Sequence, residues 1–407
     1  MSIAEAVIGA GYGDEGKGLL TDAFSARAVA TGAPVLVLRC NGGAQAGHTV
    51  VTPEGARHVF SHLGAGTLAG AATWLGPDFV ANPALFVPEL AALRRMGASP
   101  QLLADPRAAL TTPYDMLVNQ ALEQARGAAR HGSVGVGVGE TIERGLLPAF
   151  RLNIGDLAEG RDALRARLET IRRDWMPRRL AALGLAPDAD LAALLKDDAL
   201  IEAFCDDAFQ LWDSLALCPA ASLPAGPKIF EGAQGLLLDA ERGAFPHVTR
   251  SRTGLEGILP VLRDAGITRL RVTYATRAYV TRHGAGPLAH ELSGPPAAGV
   301  VDRTNRPHPF QGSLRFAALD LDILRDAIRA DLGDAPAWLT VEPALAVTCL
   351  DQMEDAIGVF AGGTERRISR EALPQAAAAH CGLPLRAVAA GDRRSAIFFH
   401  SLPAMAA

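Results

Sequence analysis

The first forty residues constrain the fold most. Residues 5–10 read as a buried strand and Gly11-Tyr-Gly-Asp-Glu-Gly16-Lys17-Gly18 as a glycine-rich loop. Residues 19–31 read as a helix and residues 34–40 as a second strand. Strand, glycine-rich turn, helix, strand is the opening of a parallel α/β unit. Further strands are predicted at 227–230, 268–274, 338–341 and 345–349. The expected fold class is therefore α/β, with a mostly parallel central sheet and a P-loop-like strand-loop-helix at its N-terminus. Residues 157–217 differ, being charged, helix-favouring and almost free of glycine. They are predicted to form a helical insertion within a single unit spanning 1–407.

The loop fulfils the G-x-x-x-x-G-K part of the phosphate-binding pattern, with Gly18 where Ser or Thr would hold a cation. Glycines admit a phosphate close to the backbone, a helix N-terminus offers free N–H groups, and Lys17 adds a point charge. Asp14 and Glu15 would repel a nucleotide unless a cation is present or one of them acts as a base. Read alone, the segment is equally a plain glycine-rich turn.

Charge and composition exclude other roles. Lys+Arg number 39 against 44 Asp+Glu, a net charge of −5, and only 5% of residues are aromatic. Neither a basic footprint nor a base-stacking platform is present, so no nucleic-acid partner is expected. Apolar residues make up 49% and charged residues 20%, which suits a globular core rather than a disordered chain. No run approaches the ~20 apolar residues of a membrane span, and no basic segment precedes an apolar core at the N-terminus. The five cysteines are odd in number and lack CxxC spacing, which fits a reduced, cytoplasmic chain.

Four further blocks follow the loop in order. They are Asn41-Gly-Gly-Ala-Gln45-Ala-Gly47-His48-Thr49, then Phe230-Glu-Gly-Ala-Gln234-Gly with Phe245-Pro-His-Val-Thr249, then Thr281-Arg282-His-Gly-Ala-Gly-Pro287, and Val347-Thr-Cys-Leu-Asp351. Together with Gly13-Asp-Glu-Gly-Lys-Gly18 they resemble the signatures of the adenylosuccinate synthetase family. The resemblance implies a GTP-dependent carbon–nitrogen ligase. Such an enzyme phosphorylates the 6-oxygen of IMP, and the aspartate amino group then displaces the phosphate. It also implies Mg²⁺, GTP as co-substrate and a homodimer.

Carried over residue by residue, the resemblance makes Asp14 the base and, with the Gly47 carbonyl, a Mg²⁺ ligand. His48 and Lys17 would stabilise the moving phosphoryl, and Gln234 would orient the 6-oxygen. GTP would meet Gly13, Glu15, Gly16, Lys17, Gly18, Gly47, His48, Thr49, Asp351 and Gly391. The acceptor would meet Asp14, Asn41, Gln45, Ser133, Val134, Gln234 and Thr249, and the amino acid Arg303, Thr304, Arg306 and His308. Asp351 is also readable as a helix N-cap. Cys349, where the family has Lys, reads as a packing residue, and the acidic run at 320–331 as a solvated helix face.

The departures fall on the acceptor side. The family's loop G-T-T-G-R-G-I-G-P becomes Gly132-Ser-Val134-Gly-Val136-Gly-Val-Gly139-Glu140, without the threonine and arginine contacts. The family's phosphate-binding arginine falls near Pro148 or Ala149, with Arg144 or Arg151 as substitutes. The family's four-arginine loop becomes Asp302-Arg303-Thr-Asn-Arg306-Pro-His308. A specialised paralogue with a modified purine acceptor or another amine is therefore an open alternative. A GTP-binding scaffold without ligase chemistry is a further one, which retention of Asp14, His48 and Gln234 argues against.

Overall fold

The computed structural model describes residues 3–127, 130–300 and 312–402. Ten strands, numbered in chain order, form one sheet: β1 (Ala4–Gly9), β2 (Leu36–Arg39), β3 (Ala72–Leu75), β4 (Leu102–Ala104), β5 (Leu215–Leu217), β6 (Lys228–Glu231), β7 (Arg269–Arg277), β8 (Thr340–Thr348), β9 (Leu385–Ala389) and β10 (Ile397–Phe399). The order across the sheet is β10-β9-β8-β7-β1-β6-β2-β3-β4-β5. Every neighbouring pair is parallel except β9 and β10.

Strands buried on both faces need continuous apolar runs, and β1 has one. Its Ala6 and Ile8 join a core with Phe230, Val272 and Tyr274, while Val7 points into the opposite core with Leu20 and Phe24. Those last two lie on helix α1 (Lys17–Val29), which follows the glycine-rich loop. A third core gathers Phe60, Phe79 and Phe86 with Tyr114, Trp175 and Phe204. It is built from α2 (Pro83–Arg95) and α3 (Pro113–Arg126) with α5, α6 and α8 (Arg161–Thr170, Met176–Ala182, Asp198–Asp213), while α4 (Val138–Gly145) and α7 (Ala189–Leu194) add none of its buried residues.

Leu164 and Leu168 of α5, continued by Ile171 and Trp175 in the turn that joins it to α6, and then Ile201, Phe204 or Cys205, Ala208 and Leu211 of α8 are buried at three- or four-residue spacing. This is the apolar stripe of helices laid on a core. Helix ends at Asp213; Leu215–Leu217, read as helical from sequence, instead form edge strand β5 beside β4. The two strands predicted at 338–349 are one, β8, running through Pro343. Pro343 pairs with Val272 of β7, whereas pairing with β9 begins only at Leu345, so on that side no ladder bond is lost.

The acidic run at 320–331 is not wholly a solvated face. Asp320 caps helix α10 (Leu321–Leu332), which follows α9 (Leu259–Asp264) in the chain. Asp331 at the far end of α10 is fully buried, accepting from Leu255 N (2.8 Å) and the Tyr274 hydroxyl (2.7 Å). Among the described residues no helix is long and apolar enough to cross a membrane.

The topology fixes where a ligand can sit. Central β1 is flanked by β6 and β7, while β2, next in the chain, lies beyond β6. Crevices at the carboxyl ends of parallel strands, where the order reverses, are the ligand sites of open α/β sheets. Here the segments leaving β1, β2, β6, β7 and β8 all start at that edge.

Candidate functional site

The loop after β1 is built around an internal carboxylate. Glu15 is buried, and its Oε1 accepts from Gly11 N (3.0 Å) and Gly13 N (2.8 Å) while Oε2 meets Lys17 Nζ at 2.6 Å. The conflict expected between Glu15 and an anion cradle is thus resolved internally, because its charge is paired with Lys17. A side chain at Gly9 would collide with this carboxylate and with the Gln234 carbonyl at 2.8 Å. Thr348 Oγ1, at the end of β8, donates to the Glu15 carbonyl (3.0 Å) and pins the loop from the other side. A Cβ at Gly18 would stand 2.9 Å from His48 Cβ. That crowding accounts for the missing Ser/Thr of the P-loop pattern, since α1 starts directly against His48.

Asp14 is at left-handed φ (64°) on the tip of this loop. Its Oδ2 lies 2.8 Å from His283 Nε2, and its carbonyl accepts from Arg277 Nε. Burial pushes the Asp14 carboxyl up, but the His283 hydrogen bond and the charges of Arg277, His283 and Lys17 outweigh it. The group is held well below the usual carboxylate range, so it is ionised.

The segment after β2 carries His48, whose Nδ1 lies 2.7 Å from Glu231 Oε1 at the end of β6. Glu231 Oε2 accepts from Ala65 N (3.1 Å) and faces Arg39 Nε at 3.9 Å. Burial raises the Glu231 carboxyl, but His48 and Arg39 bring it below its ordinary value. Burial lowers the His48 pKa against the pull of Glu231. The pair is a neutral imidazole donating Nδ1–H to a carboxylate, which leaves Nε2 for a ligand.

Asn41 staples the segments after β2 and β6 together. Its Oδ1 accepts from Ala233 N (3.0 Å), and its Nδ2 donates to the carbonyls of Arg252 (3.0 Å) and Ala233 (3.3 Å). Gln234 follows at left-handed φ (56°). The side-chain oxygens of Gln234 and Gln45 are buried without a hydrogen-bond partner. Both lie within reach of the Gly42–Gly43 turn, where a Cβ would meet each at 3.2 Å. Unpartnered buried amide oxygens at a strand edge are acceptors that a ligand donor would satisfy.

Past β8, Cys349 adopts φ 61°, and exposed Asp351 lines an open cleft of about 560 Å³ with Leu350, Pro374, Val388, Ala390 and Phe398. Gly391 is next in the chain after Ala390. Burial pushes the Cys349 thiol up, which keeps it from being a nucleophile.

The loop 132–140, expected to border the acceptor, is held by α3. Asn119 Nδ2 donates to Ser133 Oγ (2.8 Å) and Gln120 Nε2 to the Gly135 carbonyl (3.0 Å), while Gly137 N donates to Asn119 Oδ1 (3.2 Å). A hydroxyl is therefore still present, on Ser133, beside apolar Val134. The loop touches the one carrying His283, since a Cβ on Gly132 would stand 2.9 Å from Gly284 Cα.

Arg144, expected as one substitute for the family's phosphate-binding arginine, is not open to a ligand. It is fully buried, bonded to Asp115 (2.9 Å) and to the carbonyls of Phe150 and Leu110. Arg151 donates to the Gly145 carbonyl (3.0 Å). Thr249 N donates to the Leu238 carbonyl (2.8 Å), and neighbouring Arg250 pairs with Glu143 (2.7 Å). Arg303, Thr304, Arg306 and His308 lie outside the described residues.

Sequence reasoning missed Glu231, Arg277 and His283. A lone carboxylate ending the apolar run Lys228–Glu231 was the one available signal.

Among the described residues no group of three or more His, Cys, Asp or Glu could hold a metal ion. A Mg²⁺ needs no such cage when phosphates are present, because one or two carboxylates, phosphate oxygens and water suffice. Ionised Asp14 and the exposed main chain at Gly47 fit that arrangement.

A model of the family described as adenylosuccinate synthetase matches residues 6–334. The adenylosuccinate synthetase of Thermoplasma acidophilum is 30% identical over 350 residues, covering 83% of this chain and 75% of the relative. That of Acinetobacter baylyi is 30% identical over 345 residues, covering 80% and 74%. The fully ligated adenylosuccinate synthetase of Plasmodium falciparum superposes with TM-score 0.77 at 16% identity, covering 98% of this chain and all of the other. The cyanophage S-2L succinoaminodeoxyadenylate synthetase, bound to dGMP and dATP as an energy donor, superposes with TM-score 0.60 at 18% identity, covering 98% and 95%. At those identities the two structures speak for the fold.

Proposed function

The chain belongs to the adenylosuccinate synthetase family of ligases, and from that premise we propose that it uses GTP to activate the 6-oxygen of a purine nucleotide, IMP or an analogue, and joins aspartate at that carbon. The observation that carries this reading is the meeting of two carboxylate–imidazole pairs, Asp14–His283 and Glu231–His48, with the Gln234 side chain, whose buried oxygen has no partner, at the carboxyl ends of the central strands.

Each group has a chemical task. Ionised Asp14 takes the purine N1 proton, so that the 6-oxygen gains electron density and attacks the γ-phosphorus of GTP. The new O–P bond forms as the β–γ bond breaks, and GDP departs. Gln234 donates to the 6-oxygen and sets its direction. His48, backed by Glu231, presents Nε2 to the phosphoryl, whose negative charge draws a proton onto the imidazole. Lys17 keeps Glu15 on one N–H and turns another to the γ-phosphate, and the main chain at Gly13, Glu15, Gly16, Gly18 and Thr49 would face the other phosphates. The amine then attacks the purine carbon, and phosphate leaves with the former 6-oxygen.

Mg²⁺ would be held by Asp14 and the Gly47 carbonyl and would supply charge neutralisation at the phosphates. Asp351 would accept from the guanine N1 and N2 donors, next to Gly391. Asn41, Gln45, Ser133, Val134 and Thr249 would border the acceptor. Arg303, Thr304, Arg306 and His308 would hold the amino acid. We also take the chain as one unit with the 157–217 helices as an insertion, acting as a cytoplasmic homodimer. Exposed Leu146 (64%) and Leu147 (49%) beside the acceptor loop suit a subunit contact.

A second reading is favoured by the engagement of Arg144 in the core and by the valines of the acceptor loop. On that reading the acceptor is a modified purine or nucleoside, or the amine is not aspartate; the cyanophage enzyme of the same fold is bound to dGMP, a different 6-oxo purine nucleotide from IMP. Phosphate release from GTP separates the readings when IMP, dGMP, nucleosides and several amino acids are each supplied and product mass is followed. IMP- and aspartate-dependent release with a succinyl adduct supports the first. Silence with IMP but turnover with another pair supports the second, and silence throughout refutes both.

A further inference from the structure

The loop that carries His283 is held without any help from Asp14. Strand Val280–Arg282 precedes it and pairs with Arg315–Ala317. Arg315 Nη1 donates to the carbonyls of Gly284 (3.1 Å) and Gly286 (2.9 Å). Buried Arg282 donates to the carbonyls of Pro287 (2.7 Å) and His247 (3.0 Å), and its guanidinium stacks 4.4 Å from the centre of the Tyr12 ring. Gly286, at φ 108°, leaves room for the Arg282 head, which a Cβ there would strike. His283 is therefore fixed between two guanidinium clamps, and its bond to Asp14 is not needed to hold the loop.

Asp14 is fixed from its own side by its carbonyl bond to Arg277 and its left-handed backbone. What the backbone does not fix is the carboxylate plane, because the terminal torsion of Asp is broad. His283 Nε2 meets Oδ2 at 2.8 Å across 269 residues of sequence. We propose that His283 is a positioning residue for the reaction, holding the Asp14 carboxylate in the plane from which it removes the acceptor proton. The inference rests on the assignment of Asp14 as the base. His283 acts through Asp14, and the gain lies in orientation, where misplacement by an ångström can cost about a hundredfold.

The test compares His283→Ala, which removes the donor, with His283→Gln, whose amide nitrogen reaches the same place. Turnover is measured with the acceptor and amine found active for the wild-type protein, alongside thermal melting. NMR of histidine-labelled ligand-free protein gives a readout apart from activity. The expected result is a kcat loss of about 10–100-fold in His283→Ala, the range for partners that orient a reacting group. KM for GTP and the melting temperature stay unchanged, and His283→Gln recovers most of the loss. One histidine ring N–H resonance should shift when Asp14 is changed to Asn. Wild-type kcat in His283→Ala, a loss confined to KM, or no resonance sensitive to Asp14→Asn would overturn the inference and leave the ligase reading standing. A wild-type chain silent with every acceptor and amine would sink that reading, and the inference with it.

Discussion

Replacing Glu231 by Gln removes one charge and one acceptor from the centre of the site without changing its shape. In the native chain Oε1 takes the His48 proton at 2.7 Å and Oε2 takes the Ala65 N–H at 3.1 Å, with Arg39 Nε at 3.9 Å. An amide has one oxygen for these two donors. If the oxygen faces His48, the new NH₂ meets Ala65 N–H and the Arg39 guanidinium head-on. If it faces Ala65, the NH₂ donates to His48 Nδ1, reverses the tautomer and removes the charge that favours imidazolium. The orphaned donor alone costs about 1–3 kcal/mol. Weakening a buried charge partner of Arg39 moves the loss towards the ~3–5 kcal/mol of a broken buried pair. On rate, a lost orienting partner costs about 10–100-fold. Glu231→Gln should therefore melt earlier and lose kcat by that factor, with KM for GTP little changed, in a steady-state phosphate-release assay. Because the two residues act as a unit, the double variant with His48→Ala should be no slower than His48→Ala alone. Wild-type kcat in folded Glu231→Gln, or additive losses in the double variant, would refute the coupling.

Three further outcomes follow from single contacts. Gly9→Ala places a methyl against Glu15 and the Gln234 carbonyl, so it should cost about 1–3 kcal/mol by overpacking and weaken GTP binding, as read by melting and nucleotide titration. Burial pushes Asp331 up to about 6 from an ordinary 3.8, against its Tyr274 and Leu255 hydrogen bonds. The folded state thus holds that proton more tightly, and stability falls as pH rises from about 4 to about 6, by roughly 3 kcal/mol, then levels off. Asp331→Asn keeps an acceptor for Leu255 N and should lose that slope in denaturant titrations, whereas an unchanged slope counts against the assignment. Asp351→Asn should raise KM for GTP about tenfold or more, since a hydrogen bond to a charged group contributes about 1.5–3 kcal/mol, with kcat nearly kept.

What was legible in the sequence is what local pattern decides. The apolar run of β1, the glycines after it and the helix-favouring stretch of α1 are consecutive residues, so strand, loop and helix could be read with the parallel fold they imply. The helical stretch was legible for the same reason up to Asp213, but β5 is a strand only because β4 offers it an edge. β8 was divided in two because Glu342 and Pro343 interrupt its apolar run. In the fold Glu342 pairs with Arg271 at 2.6 Å, and Pro343 faces a strand that has not yet begun to pair.

The site divides in the same way. Lys17 and His48 sit in glycine-rich blocks recognisable one at a time, but the partners that govern them do not. Glu231 is 183 residues from His48, and His283 is 269 from Asp14. The place of Arg144 is not legible because a charge says nothing of its burial, and in the fold Asp115 and two carbonyls engage it fully.

The central claim is that the 6-oxygen is activated by phosphorylation before the amine arrives. It is tested most directly by placing a heavy-oxygen label on that atom of the purine acceptor and following it through turnover with GTP and the amine. The account predicts that the label leaves the purine bonded to phosphorus, in inorganic phosphate, one label per product formed. Label released as water, or retained in the product, would contradict it.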